Sequence, residues 1–121
     1  HILVLGHSHC GGIRALLNEE KDDDDVFITP WISIIKKAKT VAKHQHDTEK
    51  DRANCCEQEG IKISLNNLMS FPFVKESVEA KKLQLHGWHY HIDTGELCCF
   101  NAKKNCFETK VAPSLTKKPG Q

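Results

Sequence analysis

The spacing of apolar residues divides the chain into short segments with either strand-like or helical periodicity. Residues 1–5 contain a continuous apolar run, which predicts a strand covered on both faces, as in a parallel sheet. A glycine-rich polar turn follows at residues 6–12, and helix-forming residues begin at Ile13. Open α/β sheets bind their ligands beyond the carboxyl end of such a strand, so this turn is the first place to look for a site.

Helical segments are predicted between this unit and residue 81. Thr29 and Pro30 suit the N-cap and first position of a helix that extends to about residue 46. Residues 51–69 and 73–81 predict two more helices, although Gly60 weakens the first by about 1 kcal/mol relative to alanine. The charged residues 21–25 lack the alternation and the glycine of an EF-hand, so they predict a solvated loop rather than a calcium site.

The later segments alternate as strands do. The alternation of residues 83–93 slips in phase at Gly87, which predicts a β-bulge there. Thr94 and Gly95 predict a turn into a second strand at residues 96–100. The predicted fold is therefore α/β, with a central, mostly parallel sheet flanked by helices and an antiparallel edge hairpin near the C-terminus. We expect the domain to occupy residues 1–109, and residues 110–121 to form a polar, mobile tail.

Composition and charge exclude several classes of protein. The 17 lysines and arginines against 16 acidic residues give a formal net charge of +1, which excludes a strongly basic nucleic-acid-binding protein. No apolar run approaches the roughly 20 residues needed to cross a bilayer, and no secretory signal pattern is present. We therefore expect neither a nucleic-acid nor a membrane partner, a cytoplasmic or organelle-matrix location, and six reduced cysteines. Because the chain begins inside a predicted strand and Met69 is its only methionine, we also expect upstream sequence.

His7 and Cys10 are the candidate metal ligands. Their His-x-x-Cys spacing on a turn lets both side chains reach one ion, and imidazole with thiolate is a pair that zinc prefers. Two such residues do not by themselves make a zinc site, so the spacing leaves a structural role open. The surrounding glycines, Gly6, Gly11 and Gly12, favour the metal hypothesis, since they would let the backbone fold sharply and leave amides at the helix start to face an anion.

Three separated motifs resemble the beta-class carbonic anhydrases, in the order that the family has them. Residues 4–12, VLGHSHCGG, resemble the family's second zinc-ligand motif. The CEQE, SLNNL and FPFV segments at residues 56–59, 64–68 and 71–74 are similar to its helical segment, and LHGW and DTG at residues 85–88 and 93–95 to its late strand and turn. The resemblance covers about residues 1–108.

The resemblance implies a zinc enzyme that reversibly hydrates carbon dioxide to bicarbonate and a proton, in a homodimer or larger homo-oligomer. It implies that His7 and Cys10 are metal ligands, and that Gly11 and Gly12 lie near a bound anion. The family's first cysteine ligand and its aspartate-arginine pair belong to an earlier strand and loop, which this chain does not contain. We therefore expect no catalytic residues here beyond the two ligands, and an inactive chain when it is isolated from a longer parent. The alternative is a noncatalytic relative that binds zinc or a partner.

Other histidines and cysteines have less specific interpretations. His9 could relay protons, but a solvent-facing histidine is the simpler interpretation. His89 and His91 share one face of a strand and could pair on a metal, although an exposed polar face explains them as well. Cys98 and Cys99 must point to opposite faces of a strand, which predicts one buried and one exposed thiol rather than a joint metal site.

Overall fold

A four-stranded mixed sheet organises the computed structural model, which describes residues 1–18 and 36–114. Its strands are β1 (Ile2–His7), β2 (Leu85–Tyr90), β3 (Leu97–Asn101) and β4 (Cys106–Val111), and they are ordered β1-β2-β3-β4. β1 and β2 are parallel, and the two later pairs are antiparallel. The α/β class, the parallel pairing and the antiparallel hairpin near the C-terminus are confirmed.

Four described helices accompany the sheet: α1 (Gly11–Asn18), α2 (Lys36–Gln45), α3 (Glu49–Met69) and α4 (Pro72–Glu79). Thr48 is the N-cap of α3, where its hydroxyl accepts a hydrogen bond from the Asp51 amide at 3.2 Å. Proline opens α4, where a missing N–H costs nothing. The predicted loop at residues 21–25 and the predicted helix start at Thr29 lie outside the described residues. None of the described helices is long and apolar enough to span a membrane.

α3 packs across β1 and β2, and the contact explains two strand glycines. A Cβ atom at Gly6 would lie 2.7 Å from Ile61 Cδ1, and one at Gly87 would lie 2.8 Å from Ile61 Cγ2. The predicted bulge at Gly87 is wrong, because β1 and β2 pair without a shift from Ile2–Leu85 to His7–Tyr90. The apolar pattern changes phase there without a bulge, because the face toward α3 carries Gly87 and His89 in place of large apolar residues.

The core lies among the helices and the sheet face that they cover. Its buried cluster combines residues of α1, α2 and α3, namely Ile13, Leu16, Ala38, Ala42, Cys55 and Cys56. β1 is the outer strand of the described sheet, and Leu3 and Leu5 on its other face are 43% and 58% exposed. Within the described residues, the expectation that β1 is covered on both faces is therefore not met.

The C-terminal part differs from the predicted tail. β4 was not predicted, although its sequence CFETKV alternates, and it makes β3 an inner strand rather than the edge. Phe100 and Phe107 pack across the pair with ring centroids 5.3 Å apart. The strand runs to Val111, two positions past the expected boundary at residue 109. Residues 115–121 lie outside the described part, so the mobile tail stays a prediction for them.

Candidate metal centre

A cleft of about 740 Å³ opens beyond the carboxyl ends of β1 and β2, where the predicted turn joins β1 to α1. The turn, α1, α3 and the loop between β2 and β3 all contribute to its wall. The polar lining includes Ser8, His9, Cys10, Arg14, Glu57, Gln58, His91, Asp93 and Glu96. The predicted turn therefore lines a cleft through Ser8, His9 and Cys10, whereas His7 is not among the lining residues.

The turn at the base of this cleft is held against the chain that continues β2. The Ser8 amide donates to the Tyr90 carbonyl at 2.9 Å, and the Ser8 hydroxyl accepts from the Ile92 amide at 2.9 Å. The left-handed residue of the turn is His9, with a φ of 55°, and not one of the glycines. A Cβ atom at Gly11 would meet nothing within 4 Å, so no described contact requires a glycine there. The expectation that the flanking glycines let the backbone fold sharply is wrong at this point.

His7 ends β1 with its ring oriented as in a metal ligand. Its Nδ1 lies 2.7 Å from the Ser8 carbonyl oxygen. A carbonyl can only accept, so Nδ1 carries the proton and Nε2 keeps its lone pair for a ligand. Metal-bound histidines usually donate their second ring N–H to a carbonyl or carboxylate in this way.

Cys10 supplies the second donor, immediately before α1. It is half-buried, packs against the helix core and lines the cleft. Imidazole nitrogen and thiolate sulfur together suit zinc, so the donors present fit that ion. Two donors fill half of a tetrahedral zinc site, and the sequence contains no Cys-x-Asp-x-Arg motif. A complete centre therefore needs donors other than this pair.

His9 points away from the core. Its Nε2 lies 3.6 Å from Asp93 Oδ2, with the two side chains 60% and 42% exposed. Exposed pairs of this kind contribute little to stability. His9 thus occupies the solvent-facing position that the sequence favoured.

The prediction of an exposed polar face is wrong for His89, which is fully buried. Its Nε2 lies 2.8 Å from Glu57 Oε1, and its Nδ1 lies 3.4 Å from Gln58 Nε2. An amide nitrogen can only donate, so Nδ1 accepts from Gln58 and Nε2–H donates to the carboxylate. Both ring nitrogens are used within the protein, and His89 therefore has no free nitrogen for the metal pairing with His91 that the sequence left open.

Another set of donors was not recognised from the sequence. His91, Glu96 and Cys98 place one ligand atom each within 4.8 Å of one another, and the group includes neither His7 nor Cys10. All three line the cleft. The predicted hairpin is the signal that points to this group, because residues on one face of two paired strands lie close together once the register is known.

All six cysteines lie in the described residues as free thiols. Burial is the main cause of the shifts in their acidity. It raises the pKa of Cys56 to about 12, and it raises the pKa values of Cys55, Cys98 and Cys99 above the ordinary 9.0. Cys98 is buried as its place on the strand predicts, whereas Cys99, on the other face, is half-buried rather than exposed.

Comparison with known proteins identifies the family. The model of the carbonic anhydrase family matches residues 1–97. Beta carbonic anhydrase 3 of Arabidopsis thaliana is 40% identical over 100 residues, which are 78% of this chain and 39% of that protein. The chain belongs to the beta-class carbonic anhydrase family. The chloroplastic beta carbonic anhydrase 5 of the same plant is 39% identical over 97 residues, which are 76% of this chain and 32% of that protein.

Solved structures agree with this assignment. The beta-carbonic anhydrase CcaA matches with a TM-score of 0.80 and 26% identity, over 92% of this chain and 51% of that one. Tetrameric beta-carbonic anhydrases from Sordaria macrospora match in fold, with a TM-score of 0.73 and 22% identity over 89% of this chain and 53% of theirs. This carbonic anhydrase chain thus spans about half of the solved structures and about a third of the curated relatives.

Proposed function

We propose that this chain contributes His7 and Cys10 to a zinc centre that reversibly hydrates carbon dioxide to bicarbonate and a proton, as part of a longer protein. The hydrogen bond from His7 Nδ1 to the Ser8 carbonyl carries the proposal, because it leaves Nε2 available for a metal, three residues before Cys10 in the family motif. When bound, zinc would supply a nucleophile at neutral pH by lowering the pKa of a coordinated water from 15.7 to roughly 7.

The chain's own residues would position the reactants. Ser8 would hold the turn against the end of β2 through its amide, which donates to the Tyr90 carbonyl, and its hydroxyl, which accepts from the Ile92 amide, so that His7 keeps its direction relative to α1. Gly11 and Gly12 open α1, whose first amides lack partners within the helix and attract anions. We propose that these amides bind the bicarbonate product.

The assembly and the location are also proposals. We propose a homodimer or a larger homo-oligomer, supported by the tetrameric state named for the Sordaria macrospora proteins. The exposed Leu3 and Leu5 on the outer strand β1 give apolar area that further chain could cover. We propose a cytoplasmic or organelle-matrix location, and the name of the chloroplastic Arabidopsis thaliana relative supports the organelle.

The deciding experiment measures zinc content and carbon dioxide hydration together. In the natural full-length protein, Cys10→Ser should remove one zinc per chain and abolish hydration, because a tetrahedral site loses a thiolate. His9→Ala is the matched control in the same turn, and it should keep the zinc. Residues 1–121 alone should bind zinc only weakly at His7 and Cys10 and should show no hydration above buffer, since half a site stabilises little of the roughly 10–16 kcal/mol of a complete one.

A noncatalytic relative is the second candidate. It would keep the fold and the donors His7 and Cys10 without forming a complete reaction centre. Such a protein would retain zinc or a binding partner without turnover. Full zinc occupancy of the full-length protein with no hydration would establish this alternative, and unchanged zinc content in Cys10→Ser would show that the ligand assignment is wrong.

A further inference from the structure

We propose that His91, Glu96 and Cys98 form a second metal site, suited to zinc, on the wall of the same cleft. His91 Nε2 lies 3.3 Å from Glu96 Oε1, and Cys98 Sγ lies 3.6 Å from the same oxygen. All three ligand atoms lie within 4.8 Å of one another. The proposal is independent of the carbonic anhydrase reaction, because it uses neither His7 nor Cys10.

The separations match those of a tetrahedral zinc site. Zinc bonds of about 2.0 Å to nitrogen and oxygen and about 2.3 Å to sulfur imply edges of roughly 3.3 Å between N and O ligands and roughly 3.5 Å between S and O ligands. The two observed distances, 3.3 Å and 3.6 Å, are close to these values. The third pair, Cys98 Sγ and the His91 ring nitrogen, lies within 4.8 Å.

The hairpin holds the three donors in this arrangement. The His91 amide donates to the Glu96 carbonyl at 2.9 Å, and the Gly95 amide donates to the His91 carbonyl at 2.8 Å. Gly95 has a φ of 75°, which a glycine adopts without strain, so it closes the turn. Cys98 is paired with His89, two residues before His91, and side chains two apart share a face. The donors therefore converge without any movement of the backbone.

The chemistry of the donors selects the ion. One carboxylate and one thiolate would neutralise a divalent cation, and the imidazole adds a neutral nitrogen. Sulfur and nitrogen donors favour zinc over calcium or magnesium, which prefer oxygen. His89 does not compete for the ion, because its two nitrogens are bonded to Glu57 and Gln58. Three protein ligands on a cleft wall leave a fourth position for water or a small anion.

Cobalt(II) and zinc titrations of the full-length protein test the proposal. Cobalt bound to a thiolate gives a sulfur-to-metal charge-transfer band, so the part of this band that comes from the second site should vanish in Cys98→Ala. Zinc content should fall by one ion per chain in that variant. Glu96→Gln should weaken the same zinc at least about tenfold, since loss of an outer-shell partner already costs that much. Cys99→Ser, on the opposite face of the strand, is the matched control and should change neither signal.

The variants also separate this site from the proposed reaction centre. Cys10→Ser should leave the zinc and the charge-transfer signal that depend on Cys98 in place. If Cys98→Ala and Glu96→Gln both fold, as judged by circular dichroism, yet retain the wild-type zinc content and cobalt spectrum, the second site does not exist. If Cys98→Ala does not fold, zinc content and the cobalt spectrum are measured in Glu96→Gln and His91→Gln instead, because Glu96 and His91 are partly exposed.

Discussion

Ile61 of α3 makes the two strand glycines, Gly6 and Gly87, respond differently to the same substitution. A Cβ atom at Gly6 would lie 2.7 Å from Ile61 Cδ1, whereas one at Gly87 would lie 2.8 Å from Ile61 Cγ2 and 2.9 Å from Leu65 Cδ1. Carbon atoms prefer separations of about 3.5–4.0 Å, and Ile61 is only 3% exposed, so it has little room to move. Ile61→Val removes Cδ1 and keeps both Cγ atoms, so it removes the shortest contact at Gly6, leaves the one with Cγ1 at 3.0 Å, and relieves nothing at Gly87.

The expected magnitudes follow from this geometry. Each alanine variant should lose about 1–3 kcal/mol through overpacking, offset by roughly 0.4–1 kcal/mol from the lower entropy of the unfolded chain. Neither glycine has a positive φ, so alanine adds no backbone strain. Ile61→Val alone should cost about 0.5–1.5 kcal/mol. A double-mutant cycle should give a favourable coupling of about 1 kcal/mol between Gly6→Ala and Ile61→Val, and none between Gly87→Ala and Ile61→Val.

Urea unfolding followed by circular dichroism measures these couplings through shifts of the midpoint at constant m value. Gly11→Ala is the control, because a Cβ atom there meets nothing within 4 Å, and it should not lower stability. Equal couplings at both strand glycines would refute the contact geometry. So would a Gly6→Ala variant as stable as the wild type.

Three further predictions concern α3 and the residues that it buries. Thr48→Ala should cost about 1 kcal/mol in urea unfolding by removing the N-cap bond to the Asp51 amide, whereas Thr48→Ser should be close to neutral. Glu57→Ala should cost about 2–3 kcal/mol because it leaves the buried His89 N–H without an acceptor, and Glu57→Gln, which keeps an acceptor, should cost less than half of that. The pKa of folded Cys56, about 12, lies above the ordinary 9.0, so the unfolded chain loses this proton first. Stability should therefore fall as pH rises from about 9 toward 12, and Cys56→Ala should flatten that part of the profile; an unchanged profile would contradict this.

Local sequence patterns were sufficient to predict the strand and helices around the cleft. The apolar run before a polar turn predicted β1, and α3 was placed to within two residues of its start at Glu49. His7 and Cys10 were recognisable as candidate ligands because they stand three positions apart on one turn, in a motif that a family shares. Such features depend on neighbouring residues alone, so the sequence determined them without knowledge of the tertiary contacts.

Tertiary contacts decided which residues pack against each strand and helix. The sequence predicted a bulge at Gly87, but the glycine is there because α3 lies too close for a Cβ atom. It left His89 on an exposed face, but this ring is buried and donates a hydrogen bond to Glu57. The group of His91, Glu96 and Cys98 likewise depends on the hairpin register, which sets the face of each donor. Burial and convergence of side chains arise from residues distant in sequence, so local periodicity predicted the strands and helices, and only their packing determined the neighbours of each polar side chain.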